Sequence, residues 1–442
     1  MAYRILNDLH SSGWFTVVFV LTAYGSSYFL GTIIKTIVGP LIIRDMEMLA
    51  HPDETLALIR YALFGSEIIK QRCDFESMSS GLRRCYWYLE KRSKNFAAAI
   101  GSLGGEVGNA ICILYLVLRA LDTIEDDMTI PKDVKLPVLR NMYTYLQDPK
   151  WKFTESKDKD KIVLEEFPIL SREFRNLSPA LQIIVSDTTK EMGMGMAKYI
   201  EKTVDTFDDL NEYCYYVAGL TGTGAAGAVV ACALEEQLCD DTSLAIGMGR
   251  FLQKTNIICD CLDDLEEGRG YWPTQVWQKY SSSIKDLTKK ENRKKAVHCV
   301  NELITDALQH IPDIMKFFSL LTHNRVKTFM TIPQMVAIAR LEKSYNNPEH
   351  FVKTLKIRKG QTLRIMNTSR DIESVKSVFY HYLNKIYNRI PADDPNALKT
   401  KAACLRAMAT CRTSVIYTFG VSSFYLLVIA ILIIILAVWL IF

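Results

Sequence analysis

Apolar residues recur at helical spacing along most of the chain, from Met46 to about Arg389. Positions i, i+3 and i+4 share one face of an α-helix, whereas strands alternate with a period of two, and such alternation is rare here. Charged or turn-forming residues crowd two stretches, 148–161 and 268–273, which are therefore predicted loops. No internal repeat is visible. The pattern predicts a single all-α domain over 46–389, a bundle of roughly a dozen helices or more.

Two uncharged apolar stretches flank this domain. Residues 13–34 are long enough to span a bilayer, so the N-terminal extension 1–45 is predicted to contain a membrane segment. A cleaved signal peptide is the alternative, but no small-residue cleavage site follows a short apolar core. Residues 415–442 are dense in Ile, Leu and Val, which predicts a C-terminal transmembrane helix. Between domain and anchor, 390–414 begins with turn formers and charge and is predicted to be a linker.

The distribution of charge and the cysteine content indicate where in the cell the domain lies and which partners are expected. Basic residues lie on the domain's side of both apolar stretches, among them Lys35, Arg44, Lys399 and Arg412, which predicts a domain in the cytosol. The net charge is +4 and no basic block is present, so no nucleic-acid partner is predicted. Eleven cysteines without C-x-x-C pairs or zinc spacing indicate reduced thiols in a cytosol-facing protein.

The stretch Tyr115–Met128 is an apolar helical run that ends in acids. Asp122, Glu125 and Asp126 are spaced i, i+3 and i+4, so a helix would direct their carboxylates toward one place. Such a cluster repels itself unless a cation is bound, and Mg²⁺ bridging to a phosphate suits oxygen ligands of this kind. A solvated, acid-rich helix end is the alternative for one cluster taken alone.

A second cluster strengthens the metal-site interpretation. Asp260, Asp263 and Asp264 close the apolar run 251–264 with the same spacing, 138 residues after the first cluster. Two helices of one bundle can oppose such faces across a pocket and hold metal ions between them. Metal charge there would stabilise the departing oxygens of a diphosphate while an allylic carbon ionises.

These acids belong to a set of motifs that resembles squalene synthase (farnesyl-diphosphate farnesyltransferase), of the squalene/phytoene synthase family. The resemblance runs from about Met46 to Pro395, and the stretch before Met46 has no counterpart in the family pattern. The motifs occur in the family's order: YLVLRALDTIEDDM at 115–128, YCYYVAGLTG at 213–222, FLQKTNII at 251–258, GRGYWP at 268–273, IPQMVAIA at 332–339 and KIRKGQ at 356–361.

The resemblance implies two half-reactions in one pocket of an isoprenoid-synthase bundle. Two farnesyl diphosphates condense to presqualene diphosphate, which ionises, rearranges and receives hydride from NADPH to give squalene. The carbocations require a dry pocket of apolar and aromatic side chains. The resemblance also implies a monomer anchored in the endoplasmic reticulum membrane with its catalytic domain facing the cytosol. Phytoene-synthase relatives share the acid pairs but use no NADPH.

The resemblance assigns roles to individual residues. Six acids would form the metal site: Asp122, Asp126, Asp260 and Asp264 as catalytic Mg²⁺-diphosphate ligands, with Glu125 and Asp263 as further members of the same faces. Tyr216 matches the tyrosine assigned to proton abstraction in the first half-reaction, although a tyrosine on an apolar helix is more often a core residue.

Further residues would bind substrate and cofactor. Arg119, one turn before Asp122, can contact a diphosphate or simply form a helix salt bridge. Gln253 and Asn256 would orient substrate or metal-bound water, or join helices by hydrogen bonds. The remaining substrate-binding residues implied by the family are Ser93, Lys94, Phe96 and Arg269. Lys356, Arg358 and Lys359 would hold the NADPH phosphate; alternatively they are a solvated or membrane-facing patch, and no G-x-G-x-x-G follows a strand.

Four positions depart from the family pattern, and each removes or weakens cationic character near the phosphates; Lys94 keeps the charge but not the guanidinium fork. The family's S-R-S-F is Ser93–Phe96 (SKNF), M-R-N-A is Val107–Ala110 (VGNA), I-I-R-D-Y is Ile257–Cys261 (IICDC), and L-S-R is Ala225–Gly227 (AAG). A diverged paralogue with another prenyl diphosphate or product is therefore a second hypothesis. A non-catalytic membrane scaffold is a third, and the intact acid clusters argue against it.

Overall fold

The computed structural model describes residues 51–66, 70–239, 241–369 and 371–414. Every regular element within these ranges is helical and none is a strand, which confirms the all-α fold class. The predicted extension 1–45 and the predicted membrane segments 13–34 and 415–442 lie outside the described residues. The predicted loops 148–161 and 268–273 contain no helix, as expected.

The described residues form nineteen α-helices, numbered here in chain order. They are α1 Pro52–Phe64, α2 Ser80–Arg92, α3 Lys94–Leu103, α4 Gly105–Asp126, α5 Lys132–Tyr145, α6 Ile162–Glu165, α7 Phe167–Arg175, α8 Pro179–Glu201, α9 Phe207–Cys214, α10 Leu220–Ala231, α11 Thr242–Cys259, α12 Cys261–Glu266, α13 Thr274–Trp277, α14 Arg293–Ala307, α15 Ile311–Leu320, α16 Asn324–Ser344, α17 Lys359–Asn367, α18 Ile372–Asn388 and α19 Ala397–Thr410. A π-helical turn, Tyr215–Gly219, joins α9 to α10.

The chain divides into two compact units, whereas the sequence predicted one domain over 46–389. The smaller unit contains α1 and α17, and the larger contains the other described helices. Within the smaller unit, Arg358 pairs with Glu54 and Arg364 with Asp53. These partners are about three hundred residues apart in sequence, with Arg358 and Glu54 separated by 304. Periodicity reports local structure, so it could not reveal this long-range pairing.

Two helices that carry the acid clusters form the centre of the larger unit. Helix α4 is apolar around most of its circumference, and Val117, Leu121 and Ile124 are fully buried. It packs against α2, α3, α5, α7, α8 and α10. Helix α11 packs against the π-helical turn and against α9, α10, α14, α15 and α16. Each acid cluster is thus held at the end of a helix that has neighbours on several sides.

Two described stretches have the length and hydropathy of a membrane span, Gly105–Asp126 and Phe207–Ala231. The first is α4, and 78% of its tested window is buried inside the protein. The second comprises α9, the π-helical turn and α10, and half of its window is buried. Because α4 is enclosed by other helices, its apolar character is explained by its place in the core.

The prediction of a linker over 390–414 is wrong for its second half. Helix α19 occupies Ala397–Thr410 and buries Thr400, Ala403, Cys404 and Ala407. These residues recur at helical spacing, and the helix packs against α14, α15 and α18. The turn formers that suggested a linker are confined to the residues before α19. The periodic small residues, which were overlooked, explain why this segment belongs to the bundle.

Candidate active site

The first acid cluster lies at the C-terminal end of α4, where Asp126 is the last helical residue. The negative end of the helix dipole disfavours carboxylates there unless cations are close. Arg119, one turn earlier, supplies one cation: its Nη1 lies 3.1 Å from Oδ2 of Asp122. Asp126 forms an ion pair with Arg269. Both partly exposed acids of this cluster therefore have an arginine counterion.

Glu125 lies on the buried side of the same cluster. It is 8% exposed, and the Tyr213 hydroxyl lies 3.5 Å from its Oε1. Burial raises the pKa of Glu125 well above its usual range, and the charges of Asp126 and Asp122 raise it further. Burial also raises the pKa of Asp122 to about 6, although Arg119 opposes the shift. Ionised carboxylates in this environment are costly unless a cation compensates them.

The second acid cluster straddles a break between two helices, whereas the sequence predicted one continuous run. Helix α11 ends at Cys259, and Asp260 has φ −102° and ψ 9° before α12 begins. The amide of Asp264 still donates to the carbonyl of Asp260 at 3.0 Å, so the one-turn spacing of these two acids survives. Asp263 is exposed and accepts a hydrogen bond from Thr354 Oγ1 at 2.9 Å. Asp263 is thus the most exposed acid of this cluster and has a partner outside it, Thr354.

Arginines also compensate the second cluster. Arg340 of α16 places Nη2 2.7 Å from Oδ1 of Asp260 and donates from Nη1 to Oδ1 of Asn256 at 2.7 Å. Burial raises the pKa of Asp260, and Arg340 opposes this effect. Burial raises the pKa of Asp264 to about 6, again against an arginine, Arg269. In both clusters, therefore, burial raises the pKa of the carboxyl groups and a neighbouring arginine opposes the rise.

Arg269 joins the two clusters. Its guanidinium forms ion pairs with Asp126 at the end of α4, with Asp264 in α12 and with Glu267. The distance from Nη2 to Oδ1 of Asp264 is 3.1 Å, and the Arg269 side chain is 15% exposed. Two carboxylates from helices far apart in sequence therefore lie within reach of a single side chain. The sequence placed Arg269 among the substrate-binding residues but gave no sign of this bridging position.

Two buried nitrogen atoms at these clusters are suited to donate hydrogen bonds to a ligand. The Nε atoms of Arg119 and Arg269 are buried and have no hydrogen-bond partner among the described residues. Buried donors normally find an acceptor, and phosphate oxygens accept well from guanidinium groups. Carboxylate oxygens are the ligands that Mg²⁺ prefers. The donor set fits a magnesium–diphosphate group, although within the described residues no three Asp, Glu, His or Cys side chains already converge as a metal site.

The loop 148–161 is fastened to the first cluster by an acid whose role the sequence did not reveal. Asp127, directly after α4, accepts hydrogen bonds from Thr129, from Ser156 Oγ at 2.8 Å and from the amide of Lys157 at 2.7 Å. Asp160 of the same loop pairs with Arg92 at 3.0 Å. Asp127 therefore anchors the loop, while its neighbour Asp126 belongs to the arginine-bridged acids.

Tyr216 lies in the π-helical turn, a geometry that often marks functional sites. Its ring is close to those of Tyr215 and Tyr199, with centroid distances of 5.3 and 6.5 Å, and packs over Gly195 of α8, where a Cβ would overlap it. No hydrogen bond of its hydroxyl is present among the described residues. Tyr213, one turn earlier, is the tyrosine that reaches an acid of the first cluster.

The other predicted substrate-binding residues have varied surroundings. Ser93 caps α3 by accepting from the amide of Phe96 at 3.3 Å, so its hydroxyl has a structural use. The ring of Phe96 lies 5.6 Å from that of Tyr115, which precedes Arg119 by one turn on α4. Lys94 is exposed at the start of α3. Gln253 is half-buried on α11, one turn before the exposed Asn256 that Arg340 contacts.

The predicted cofactor residues do not form a single patch within either unit. Arg358 and Lys359 belong to the smaller unit, where Glu54 compensates the Arg358 guanidinium through a 2.7 Å hydrogen bond from Nε. Lys359 is exposed at the first position of α17. Lys356 belongs to the larger unit and is exposed, and its charge counters the burial that raises the pKa of Asp260. The assignment of these three residues to NADPH stays a prediction.

A helical bundle in which one arginine contacts two acid clusters is the arrangement expected of a prenyl-diphosphate synthase. Its carboxylates suit magnesium, its guanidinium donors suit phosphate, and its surrounding helices are apolar. The family model described as squalene/phytoene synthase matches residues 89–362. The chain belongs to this family and is a prenyltransferase, so the resemblance found in the sequence is confirmed.

Individual relatives cover most of the chain. The squalene synthase of Mus musculus is 46% identical over 357 residues, which are 80% of this chain and 86% of the relative. A protein of Arabidopsis thaliana named inactive squalene synthase 2 is 37% identical over 80% of this chain and 85% of its own. A solved structure of TcSQS with the ligand BPH1237 superposes with a TM-score of 0.74 at 34% identity, covering 75% of this chain and 99% of that one.

Proposed function

We propose that the protein condenses two farnesyl diphosphates head-to-head to presqualene diphosphate, with magnesium, and reduces this intermediate to squalene with NADPH. The observation that carries the proposal is Arg269, which brings Asp126 of one cluster and Asp264 of the other together. Two clusters in this arrangement can bind one diphosphate from two sides. The squalene synthases among the relatives support the choice of substrate and product.

The chain's own residues would bind and orient the leaving group. Asp122, Asp126, Asp260 and Asp264 would hold magnesium, whose charge offsets the negative charge of the departing diphosphate. Arg119 and Arg269 would donate to phosphate oxygens through the Nε atoms that lack partners among the described residues. These are fixed charges in a partly buried site, where electrostatic interactions are stronger than in water.

The proton chemistry is assigned to Tyr216. Its hydroxyl makes no hydrogen bond among the described residues, so the hydroxyl can take part in proton transfer without breaking an existing hydrogen bond. The neighbouring rings of Tyr199 and Tyr215 form an aromatic wall, which suits a cationic prenyl chain. NADPH binding is carried over from the family resemblance and is assigned to Lys356, Arg358 and Lys359.

The proposed location rests on an apolar stretch of the sequence, and the proposed assembly rests on the family resemblance. The uncharged stretch 415–442 would anchor the protein in the endoplasmic reticulum membrane, with the catalytic domain in the cytosol. Farnesyl chains and squalene are both hydrophobic, so a membrane surface suits substrate capture and product release. We assign the protein a monomeric state on the family resemblance.

The test is product analysis with the full-length protein purified in detergent and given farnesyl diphosphate, Mg²⁺ and NADPH. Squalene is expected, and presqualene diphosphate should accumulate when NADPH is omitted. A different hydrocarbon or alcohol would indicate a diverged paralogue, which the replaced family arginines keep as the second candidate. Absence of diphosphate release would overturn the proposal and favour a scaffold, an outcome made relevant by the relative named inactive.

Two variants connect this activity to the acid clusters. Asp122→Asn and Asp260→Asn should each lower turnover by about a thousandfold, because each removes a charge that would hold magnesium at the leaving group. Asp187→Asn is the matched control, since Asp187 is exposed on α8 and belongs to neither cluster. Near-normal rates in either cluster variant would contradict the assignment of the metal site.

A further inference from the structure

The helix end that presents Asp260 lacks a cation at the adjacent position. Cys259 is 5% exposed, and its Sγ lies 3.6 Å from Oγ of Ser344 on α16. The side chain is therefore packed between two helices and carries no positive charge toward the acids. Its burial raises the pKa of the thiol, which keeps it neutral near pH 7. Cys259 therefore packs against α16, and any positively charged contact with a phosphate must come from another residue.

A guanidinium reaches the same helix end from the opposite helix. Arg340 lies one turn before Ser344 on α16, so the two side chains share the face that packs against α11. Its Nη2 lies 2.7 Å from Oδ1 of Asp260, and its Nη1 lies 2.7 Å from Oδ1 of Asn256. Two hydrogen bonds from separate nitrogens fix the plane of the guanidinium.

Arg340 remains open to a ligand although it is held in place. Its side chain is 22% exposed and that of Asp260 is 41% exposed. A guanidinium has five N–H donors, so its contacts with Asp260, Asn256 and the neighbouring Cys259 thiol leave donors for a further acceptor. A second positive charge lies on the same helix, because Lys343 follows Arg340 by one turn and its Nζ donates to the carbonyl of Lys356 at 2.6 Å. This exposed, basic edge of the second cluster suits an anion.

We propose that Arg340 is a substrate-binding residue for the diphosphate group, acting from α16 at the cluster where position 259 offers only a buried thiol. The proposal rests on the function proposed above. Asn256 and Asp260 would hold the guanidinium before substrate arrives, and two phosphate oxygens would then accept from its free donors. Arg340 would thus supply from α16 the positive charge toward Asp260 that position 259 of α11 does not supply.

The test uses full-length protein in detergent and measures binding of inorganic pyrophosphate with Mg²⁺ by calorimetry, together with KM and kcat for farnesyl diphosphate. Arg340→Gln should raise both the pyrophosphate Kd and KM about tenfold or more, since a charge-assisted pair is lost. Arg340→Lys should recover only part of the affinity, because it restores charge without the planar fork. Unchanged pyrophosphate Kd in Arg340→Gln would overturn the proposal.

A rescue experiment separates substrate binding from a merely structural contact. Cys259→Arg introduced into Arg340→Gln should restore the pyrophosphate Kd to within about threefold of the wild-type value, whereas Cys259→Arg alone should change it less. A purely structural role for Arg340 predicts no rescue, and that outcome would also refute the proposal. Arg325→Gln is the control on the same helix; Arg325 donates to the carbonyl of Leu103 and should not affect pyrophosphate binding.

The two proposals fail in different ways. If the wild-type protein shows no prenyl-diphosphate turnover, the proposed function fails, while pyrophosphate binding still tests Arg340. If the wild-type protein makes squalene and Arg340→Gln binds pyrophosphate normally, only the assignment of Arg340 fails. Thermal melting of every variant identifies loss of fold, and Arg340→Lys supplies the binding comparison if the glutamine variant does not fold.

Discussion

Replacing Arg269 with glutamine removes the guanidinium that contacts both acid clusters. Its side chain is 15% exposed, and those of Asp126 and Asp264 are 33% and 17% exposed. Breaking a buried pair costs about 3–5 kcal/mol, and partial exposure lowers the figure to about 2 kcal/mol here. For a chain of 442 residues that corresponds to a fall of about 2 °C in Tm without magnesium. Arg140→Gln, at an exposed pair with Glu201, should cost less than about 1 kcal/mol.

Magnesium should reverse part of this loss. In Arg269→Gln the two carboxylates lack their shared counterion, so a metal ion meets less competing positive charge. A tenfold gain in magnesium affinity adds about 1.4 kcal/mol at saturation, or about 1.5 °C in Tm. The assay is a thermal melt at several Mg²⁺ concentrations, with Ca²⁺ as a second hard cation and KCl at matched ionic strength.

Two results would refute this reasoning. If Arg269→Gln melts like Arg140→Gln in the absence of metal, Arg269 does not bridge the clusters in solution. If the Mg²⁺ dependence of Tm is the same in Arg269→Gln and wild type, the carboxylates that Arg269 contacts do not bind magnesium. The second result would undermine the metal site without any reference to catalysis.

Two further predictions concern protons. Burial holds the pKa of Asp122 and Asp264 at about 6, above the usual carboxylate value, so the folded metal-free protein binds these protons more tightly than the unfolded chain. The contribution of these two carboxyls to the free energy of unfolding should therefore be full below about pH 4 and be lost as the pH rises through about 6. The affinity for Mg²⁺ should rise over the same pH range, because the carboxylates ionise. Thermal melts and Mg²⁺ titrations between about pH 4.5 and 8 check both trends, and a metal-free Tm that increases steadily with pH would count against them. Tyr216→Phe should lower presqualene diphosphate formation at least about a hundredfold with Tm unchanged within about 2 °C, and an active variant would remove the tyrosine from the proton chemistry.

The acid faces could be predicted because their information is local. Three carboxylates at helical spacing, after an apolar run, indicate both the helix and the shared face. The break at Asp260 could not be predicted, since the residues around it continue the apolar pattern without Gly or Pro. The repeated spacing predicts that the two clusters meet. Arg269, which contacts both clusters, lies in a predicted loop, and hydrophobic periodicity does not specify the conformation of a loop.

Residues that act across helices were the ones missed. Arg340 stands in an apolar helix, 80 residues from the Asp260 that it contacts, and nothing in its neighbourhood distinguishes it from a surface arginine. Asp127 directly follows the acid cluster in sequence, yet its oxygens accept hydrogen bonds from the loop 148–161. Hydrogen-bond partners of this kind are set by tertiary packing, which a single sequence does not encode in any local pattern.

The arginine pairs explain how such acid-rich helix ends can exist before substrate binds. Asp122, Glu125 and Asp126 lie at the C-terminal end of α4, and Asp260 caps the C-terminal end of α11; at these ends the dipole adds to the repulsion among carboxylates, whereas Asp263 and Asp264 lie in the first turn of α12. Arg119, Arg269 and Arg340 each pair with at least one of these acids. Magnesium and diphosphate arriving together would exchange carboxylate–arginine pairs for carboxylate–metal and arginine–phosphate pairs, with little change in total charge. Either partner alone would leave one half of that exchange uncompensated, so under the proposed function the arginine pairs that stabilise these carboxylates would also favour joint binding of metal and diphosphate.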